Sequence, residues 1–531
     1  MKSNSMVSMA LIVMAAMAST LAATDSLAQT SPRFVCPVKG GSITYAQGAK
    51  SNSLDQHVSN TVSTRNIALN IFESLMTRDE TNAPIPDLAQ SVAVSSNGLV
   101  YTFKLRRGVK FHNGKEMSSA DVLASYERYK RVGWEKATFT NVEKWNAPDA
   151  NTFEISLKVA QPTFLEDLSS FVVPIVIIPA ELANAAPMRL DIVGTGPYRL
   201  AEFVADSHVK LARYDGYQPN TAYNQINGFG GYKQACLDTV TVRFASEAGA
   251  RVAGLQTGEF QIIEAVPAKS RGMLEKDKSI ALRELNNFGV NIATANYSAP
   301  PTDKLLIRKA VQAALDMDEI MEAATDGMYK LNIGFQYPGY AAYSESGKEF
   351  YNMKNPALAK RYLAEAGYKN EPIVLLTNKD YPAHYNAAVV MAEQLKAVGI
   401  NATLRVLDWP TSIQTFEKES AGWNYFFTTW VIAVASGPIG SLKFLAPPQN
   451  TYKPQGPDGT DKIFEAAWKD MLSLPNTKDR HAAFARAQYR VMEQAMGLPF
   501  GASVALVGMR TEVKNFKPYL IPRFSNVYLQ K

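Results

Sequence analysis

Five histidines, His57, His112, His208, His384 and His481, are the first side chains in this 531-residue chain whose chemistry needs an account. They are widely scattered, and none falls in H-E-x-x-H or another short metal-ligand spacing, so no metal site is expected. His112, between Phe111 and Asn113-Gly114, reads as a turn residue rather than a ligand. No G-x-x-x-x-G-K-[ST] loop is present, which excludes the ATP-hydrolysing motor of a transport system. The nearest approach to a G-x-S-x-G nucleophile elbow, Tyr343-Ser-Glu-Ser-Gly347, lacks the first glycine. Gly194-Thr195-Gly196-Pro197 opens like a nucleotide fingerprint but has no third glycine. Pro197 would also block the helix start that a phosphate needs, so the run reads as a turn. Glu166 and Asp167 are adjacent, cannot face each other on a helix, and read as a solvated face. The chain is therefore read as no enzyme, with no catalytic residue, metal or cofactor.

Two cysteines remain, Cys36 and Cys236, each just before a strand pattern. Their meaning depends on the compartment. Behind Lys2, residues Met6 to Ala23 form a run of apolar and small residues, followed by Ser26 and Ala28 in the A-x-A-like spacing of a signal-peptidase site. A membrane anchor is the competing reading, because the run is about long enough to span. Its Ala, Ser and Thr content and its exit favour a cleaved signal over 1–28, hence an exported, periplasmic protein. Cys36 follows Phe34-Val35 rather than a small-residue lipobox. In an oxidising compartment the two cysteines are expected to pair, with two buried thiols as the alternative.

Composition sets the remaining limits. Hydrophobic residues make up 46% of the chain and charged residues 20%, which excludes disorder. The length allows about two to four units with their own cores. A net charge of +6 over the whole chain, with no clustered basic stripe, gives no footprint for nucleic acid.

The elements that must position any site alternate between strand and helix. Ile373 to Leu376 reads as a buried strand. A helix follows from Asn386 to Val398, with Ala388, Met391, Ala392, Leu395 and Val398 on one face and Gly399 as its stop. Ile400, Ala402, Leu404 and Val406 then alternate with polar residues as a second strand. This is a right-handed βαβ unit on a parallel sheet. A second helix is capped by Asn355 with Pro356 at its first position, and runs to Ala366 before Gly367. A third starts at Asp303. In the first half, strands are expected near Thr102–Leu105, Phe153–Leu157, His208–Ala212 and Leu237–Phe244, and Ser119 is read as the cap of a helix through Tyr129.

An ordered set of motifs accompanies this pattern. It runs through Gly40-Gly41-Ser-Ile-Thr-Tyr45, Ser53-Leu54-Asp55, Phe72-Glu73-Ser-Leu75 and Pro86-Asp-Leu-Ala89. Then come the long block from Gly98 to Gly114, Ser119-Ala-Asp-Val122 and Ser125-Tyr-Glu-Arg128. Gly194-Thr-Gly-Pro-Tyr198, Leu255-Gln-Thr-Gly258, Ile307-Arg-Lys-Ala310 and Ala364-Glu-Ala-Gly-Tyr368 complete it. The set resembles the family 5 extracellular solute-binding proteins of bacterial ABC transporters, the dipeptide, oligopeptide and nickel group. The resemblance covers nearly the whole mature chain.

It implies a two-lobed α/β periplasmic-binding-protein fold with an extra subdomain in the first lobe. By that pattern lobe I is 29–72, 200–290 and a C-terminal return at 500–531. The extra subdomain is 73–199 and lobe II is 291–499, with crossings near Asn287 to Tyr297 and Leu498 to Val507. The resemblance also carries over the candidate cleft residues: Lys50 and Ser51 before the Leu-Asp mark, Phe288 and Asn291 on the hinge side, and Thr429, Trp430 and Val431 on the Gly422–Trp430 stretch. Trp409, near the end of the Val406 strand, is a weaker candidate. For each aromatic, core packing is the competing reading.

The function this implies is capture of a small organic solute, peptide-like or other, by hinge closure in the periplasm. A monomer would then deliver it to an inner-membrane ABC permease. The alternatives are an exported hydrolase, which would turn over peptides or esters, and a periplasmic chaperone or sensor, which would bind variable clients. One departure bears on the ligand. Peptide binders of this group carry an acid three positions after the cleft tryptophan, to pair with the peptide's amino terminus. Here that position is Ala433, and no acid stands between Val431 and Pro438. An unpaired buried ammonium is costly, so simple di- and tripeptides are expected to bind weakly. A bare nickel ion is disfavoured for want of histidine in the candidate cleft strands.

Overall fold

The structure is a computed structural model and describes residues 32–446 and 461–530. The signal-like segment lies outside the described residues. Among the described residues no helix is long and apolar enough to cross a membrane.

Three sheets organise the chain. The first has seven strands in the order Ile280–Leu285, Ala505–Arg510, Ile262–Ile263, Ser42–Gln47, Thr239–Phe244, His208–Arg213 and Tyr198–Val204. Ser42–Gln47 runs parallel to Thr239–Phe244, with Ser42 opposite Thr239 and Gln47 opposite Phe244. Alternation along these strands turns Ile43, Tyr45, Val240 and Val242 into a core shared with Ile67, Phe72 and Phe524. Cys36 and Cys236 are joined by a disulfide with their Cα atoms 5.6 Å apart. It fastens the segment before the central strand to the segment before its parallel neighbour.

The second sheet is four-stranded and antiparallel, in the order Ala89–Val94, Val100–Leu105, Thr152–Leu157 and Val142–Asp149. The Ser119–Val132 helix packs on it through Tyr126, whose ring meets Phe139 at 5.5 Å and Phe153 at 5.1 Å. The cap of this helix is Ser118, not Ser119. Asp121, three positions in, accepts the Ser118 backbone N–H at 2.9 Å, while the Ser119 hydroxyl donates to the Asp149 carbonyl at 2.6 Å. With serine at both positions, the register of the capping box decides which one starts the helix. Two of the sequence motifs meet here. Arg128 grips Asp55 in a fork, at 2.9 and 2.6 Å, with both side chains fully buried. The Leu-Asp and Tyr-Glu-Arg marks are thus two halves of one buried ion pair, holding the Ser119–Val132 helix to the segment that follows Ser42–Gln47 of the first sheet.

The third sheet has six strands, Tyr329–Lys330, Gly497–Ser503, Val290–Ala295, Tyr425–Trp430, Ile373–Asn378 and Ala402–Leu407. Its βαβ unit is as the periodicity indicates, with Ile373 opposite Ala402 and Asn378 opposite Leu407 in parallel register. The connecting helix spans Pro382–Ala397 and begins earlier than Asn386, because Pro382 is tolerated in a first turn where its missing N–H is not needed. Asn355 caps Pro356–Glu365 by accepting the Leu358 N–H at 2.9 Å. The third expected helix is Leu305–Ala314, two residues later than Asp303.

Two short crossings join the first and third sheets. Leu285 leads to Val290 through 286–289, and Ser503 leads to Ala505 through Val504 alone. Gly289 lies in the first crossing at φ +109°, and a Cβ there would come within 2.6 Å of Thr429 Cγ2 and 2.9 Å of Val431 Cγ2. Only glycine satisfies both the backbone angle and the close approach.

Candidate ligand cleft

Three strands of the third sheet point their carboxyl ends the same way. Tyr425–Trp430 runs parallel to Ile373–Asn378, as Ala402–Leu407 does. In open α/β sheets the crevice beyond such ends is where ligands bind. In the first sheet, Ser42–Gln47, Thr239–Phe244 and Ile262–Ile263 are likewise mutually parallel, and Lys50 and Ser51 follow the first of them.

At the carboxyl end of Tyr425–Trp430 lies a recess of about 370 Å³. Phe426, Thr428 and Trp430 line it from one face of the strand, following the period of two, and Thr429 and Val431 complete its rim. Ile413 and Phe416 come from the Trp409–Lys418 helix, and Lys443 and Phe444 from the segment after the Gly437–Leu442 helix. The rings pack closely: Phe416 lies 4.4 Å from Phe426, and Trp430 lies 5.8 Å from Phe335 and 5.9 Å from Phe444. Trp430 is only 7% exposed, so its ring is both part of the core and a wall of the recess.

The opposite face of the same strand carries a continuous line of hydrogen bonds. The Asn378 side-chain N–H meets His384 Nδ1 at 3.0 Å, while Asn378 Oδ1 accepts the Tyr381 backbone N–H at 2.9 Å and so fixes the amide orientation. His384 Nδ1 is then the acceptor, and Nε2 carries the proton that it gives to Thr429 Oγ1 at 3.1 Å. Thr429 donates to Asn291 Oδ1 at 2.9 Å, and Asn291 donates to Ser503 Oγ at 2.8 Å. Burial lowers the His384 pKa from 6.5 to about 4, which keeps the ring neutral as this line requires.

The candidate residues thus divide. Thr429, Trp430 and Val431 line one recess. Trp409 stands behind it, stacked at 6.0 Å on Phe426, with its backbone N–H held by Asp380 at 2.6 Å. Asn291 is buried and its amide is engaged with Thr429 and Ser503. Phe288 is 41% exposed in the first crossing. Lys50 is exposed and pairs with Asp206 at 2.5 Å, and Ser51 is buried against Ser53 and Thr64. Phe416, Phe426, Lys443 and Phe444 are additions to the sequence reading. Phe426 had a signal, since it stands four residues before Trp430 in a strand. Lys443 had none.

A second, smaller recess of about 120 Å³ lies between the Met76–Pro86 hairpin and the start of the Gly437–Leu442 helix. Across it Asn82 donates to the Ala435 carbonyl at 3.2 Å, the Ala341 N–H donates to the Thr81 carbonyl at 3.0 Å, and Arg480 pairs with Glu166. It is an internal contact between residues of the 76–86 and 163–167 stretches and residues of the 336–342, 436–439 and 471–481 stretches. His112 accepts the Gly194 N–H on Nδ1 at 3.2 Å and donates through Nε2 to the Gly196 carbonyl at 2.9 Å, so it is a satisfied turn residue. Among the described residues no group of three or more His, Cys, Asp or Glu side chains could hold a metal ion.

Comparison with known proteins fits this geometry. The chain is 28% identical over 408 residues to the glutathione-binding protein GsiB of Escherichia coli (strain K12), covering 74% of this chain and 76% of that protein. It is 25% identical over 479 residues to a probable peptide ABC transporter periplasmic-binding protein, y4tO, of Sinorhizobium fredii, covering 87% and 88%. The solved structure of HbpA2 from Haemophilus parasuis superposes with a TM-score of 0.79 at 20% identity, covering 92% of this chain and all of that one. The model of the bacterial extracellular solute-binding proteins, family 5, matches residues 83–452, and the chain belongs to that family.

Proposed function

We infer that this protein is the periplasmic solute-binding component of an ABC importer, and that it holds a small organic solute in the Trp430 recess while its lobes close. The observation that carries this is the recess itself: an aromatic-walled hollow at converging strand ends, beside two crossings of the main chain. A solute that touches both lobes only in the closed form shifts an open–closed equilibrium toward it, and the closed surface is what the permease would recognise. The lobes are taken as 29–72, 200–290 and 500–531 against 291–499, with 73–199 as the extra subdomain. The three separate sheets support that division, and Gly497–Ser503 carries the second lobe's sheet up to Val504. Export through a cleaved 1–28 signal, a monomeric state, binding without turnover and no nucleic-acid partner complete the proposal.

The test is native mass spectrometry of the mature protein for a co-purifying solute, followed by calorimetry with that solute. Stoichiometric binding with no product is expected. Trp430→Ala should weaken it by about 1 to 3 kcal/mol if the ring is a cleft wall. Product release favours a hydrolase. Unchanged affinity with lower stability makes Trp430 a core residue only.

A further inference from the structure

The charge inside the recess is one-sided. Of the described residues that line it, Ile413, Phe416, Phe426, Thr428 to Val431, Lys443 and Phe444, only Lys443 is ionisable. Its ammonium lies 5.2 Å over the Phe444 ring, and among the described residues it has no carboxylate within ion-pairing distance. The two threonines also differ. The Thr429 hydroxyl is consumed by His384 and Asn291 on the other face of the sheet. The Thr428 hydroxyl shares the recess face with Trp430 and has no partner among the described residues. A mostly apolar hollow that shows one lysine, one free hydroxyl and no acid among the described residues is complementary to a single negative charge on an apolar body. It repels an ammonium.

We propose that Lys443 and Thr428 together read a carboxylate on the bound solute, so that the recess selects an apolar or aromatic organic acid and has no need of a free amino group. This rests on the Trp430 recess being the solute site. Closure removes water from around the ammonium, and a charge-assisted hydrogen bond to a carboxylate gains strength in that drier setting. A lysine presents one compact charge, which matches a monoanion; among the described residues no second cation lines the recess to balance a dianion such as phosphate. The acid comes either from a free organic acid or from the C-terminus of a peptide, and the two are separable by experiment.

The test is calorimetry on the full mature chain with paired probes: indole-3-acetate against indole-3-acetamide, 3-phenylpropionate against its amide, and Phe-Leu against N-acetyl-Phe-Leu. In each acid–amide pair the acid should bind about tenfold or more tighter, with the preference shrinking as salt is raised. Lys443→Met should abolish that preference and Lys443→Arg should keep it, while thermal stability stays close to that of the parent. Blocking the dipeptide's amine should leave its affinity unchanged. Binding of the free acids assigns the site to organic acids, whereas binding of the N-acetyl dipeptide alone assigns it to a peptide's carboxyl end. Equal binding of acid and amide, or a preference that survives Lys443→Met, overturns the proposal, as does a requirement for the free amine. If no probe binds at about 5 mM while the co-purified solute still depends on Trp430, the carboxylate reading falls and the recess stands. If that solute is indifferent to Trp430, the site itself falls.

Discussion

Thr429 and Asn291 sit opposite each other on paired antiparallel strands, and the threonine hydroxyl donates to the asparagine Oδ1 at 2.9 Å. That bond is the middle of a line from Asn378, at the carboxyl end of the βαβ strand, to Ser503, one residue before the second crossing. The side chains that resemblance marks as solute contacts are thus partly committed to holding Tyr425–Trp430 against Val290–Ala295 and Gly497–Ser503. Buried polar groups tied in this way are costly to leave half-paired.

The neutral state of His384 gives this line a pH dependence. The folded pKa, about 4, lies below the ordinary 6.5, so the contribution is fully present above about pH 6.5 and is lost as pH falls through 4. His384→Gln should therefore cost more stability at pH 7 than at pH 4.5, by about 2 kcal/mol at most. Urea unfolding of both proteins at the two pH values measures the difference. An equal cost at both would mean that the ring is not held neutral by burial.

The two threonines should separate function from support. Thr429→Val leaves His384 Nε2 and Asn291 Oδ1 unpaired and should destabilise the protein by about 1 to 3 kcal/mol. Thr428→Val should leave stability within about 0.5 kcal/mol and weaken solute binding instead. Melting curves and calorimetry on the pair decide between this assignment and its reverse.

Gly289 offers a comparison of two glycines at similar backbone angles. Gly289→Ala meets Thr429 and Val431 at sub-contact distance, whereas Gly399, at φ +92°, has open space around its would-be Cβ. Alanine at 399 should cost only the backbone strain, about 1 kcal/mol, and leave binding intact. At 289 it should cost more and also weaken solute binding, because the displaced side chains line the recess. Equal effects at the two positions would show that the contact does not matter.

Cys36 and Cys236 close a loop with a sequence separation of 200, for which chain entropy allows about 5 kcal/mol as a ceiling. Thiol labelling of the denatured, unreduced mature protein should find no free cysteine. Replacing both by serine should lower the unfolding midpoint by an amount equivalent to about 2 to 5 kcal/mol. Two labelled thiols would refute the pairing.

Local elements were readable where one segment carries its own signal. The Asn355-Pro356 start, the apolar stripe of the helix ending at Ala397 and the two strands beside it depend on neighbours in sequence, and periodicity reports those directly. The recess was only partly readable because three separate stretches build it. Trp430 and Thr429 came from resemblance, but Phe416, Lys443 and Phe444 meet them only after the sheet and two helices have packed. The engagement of Asn291 could not be read either, since it depends on the register that sets residue 291 opposite 429. The Asp55–Arg128 fork shows the converse: two motifs far apart in sequence owe their residue types to one buried contact.

Closure of the lobes on solute is measurable by small-angle X-ray scattering of the mature protein, with and without saturating co-purified solute. A saturable fall in the radius of gyration is expected, following the calorimetric binding curve and lost in Trp430→Ala at the same solute concentration. Stoichiometric binding with an unchanged scattering profile would contradict it.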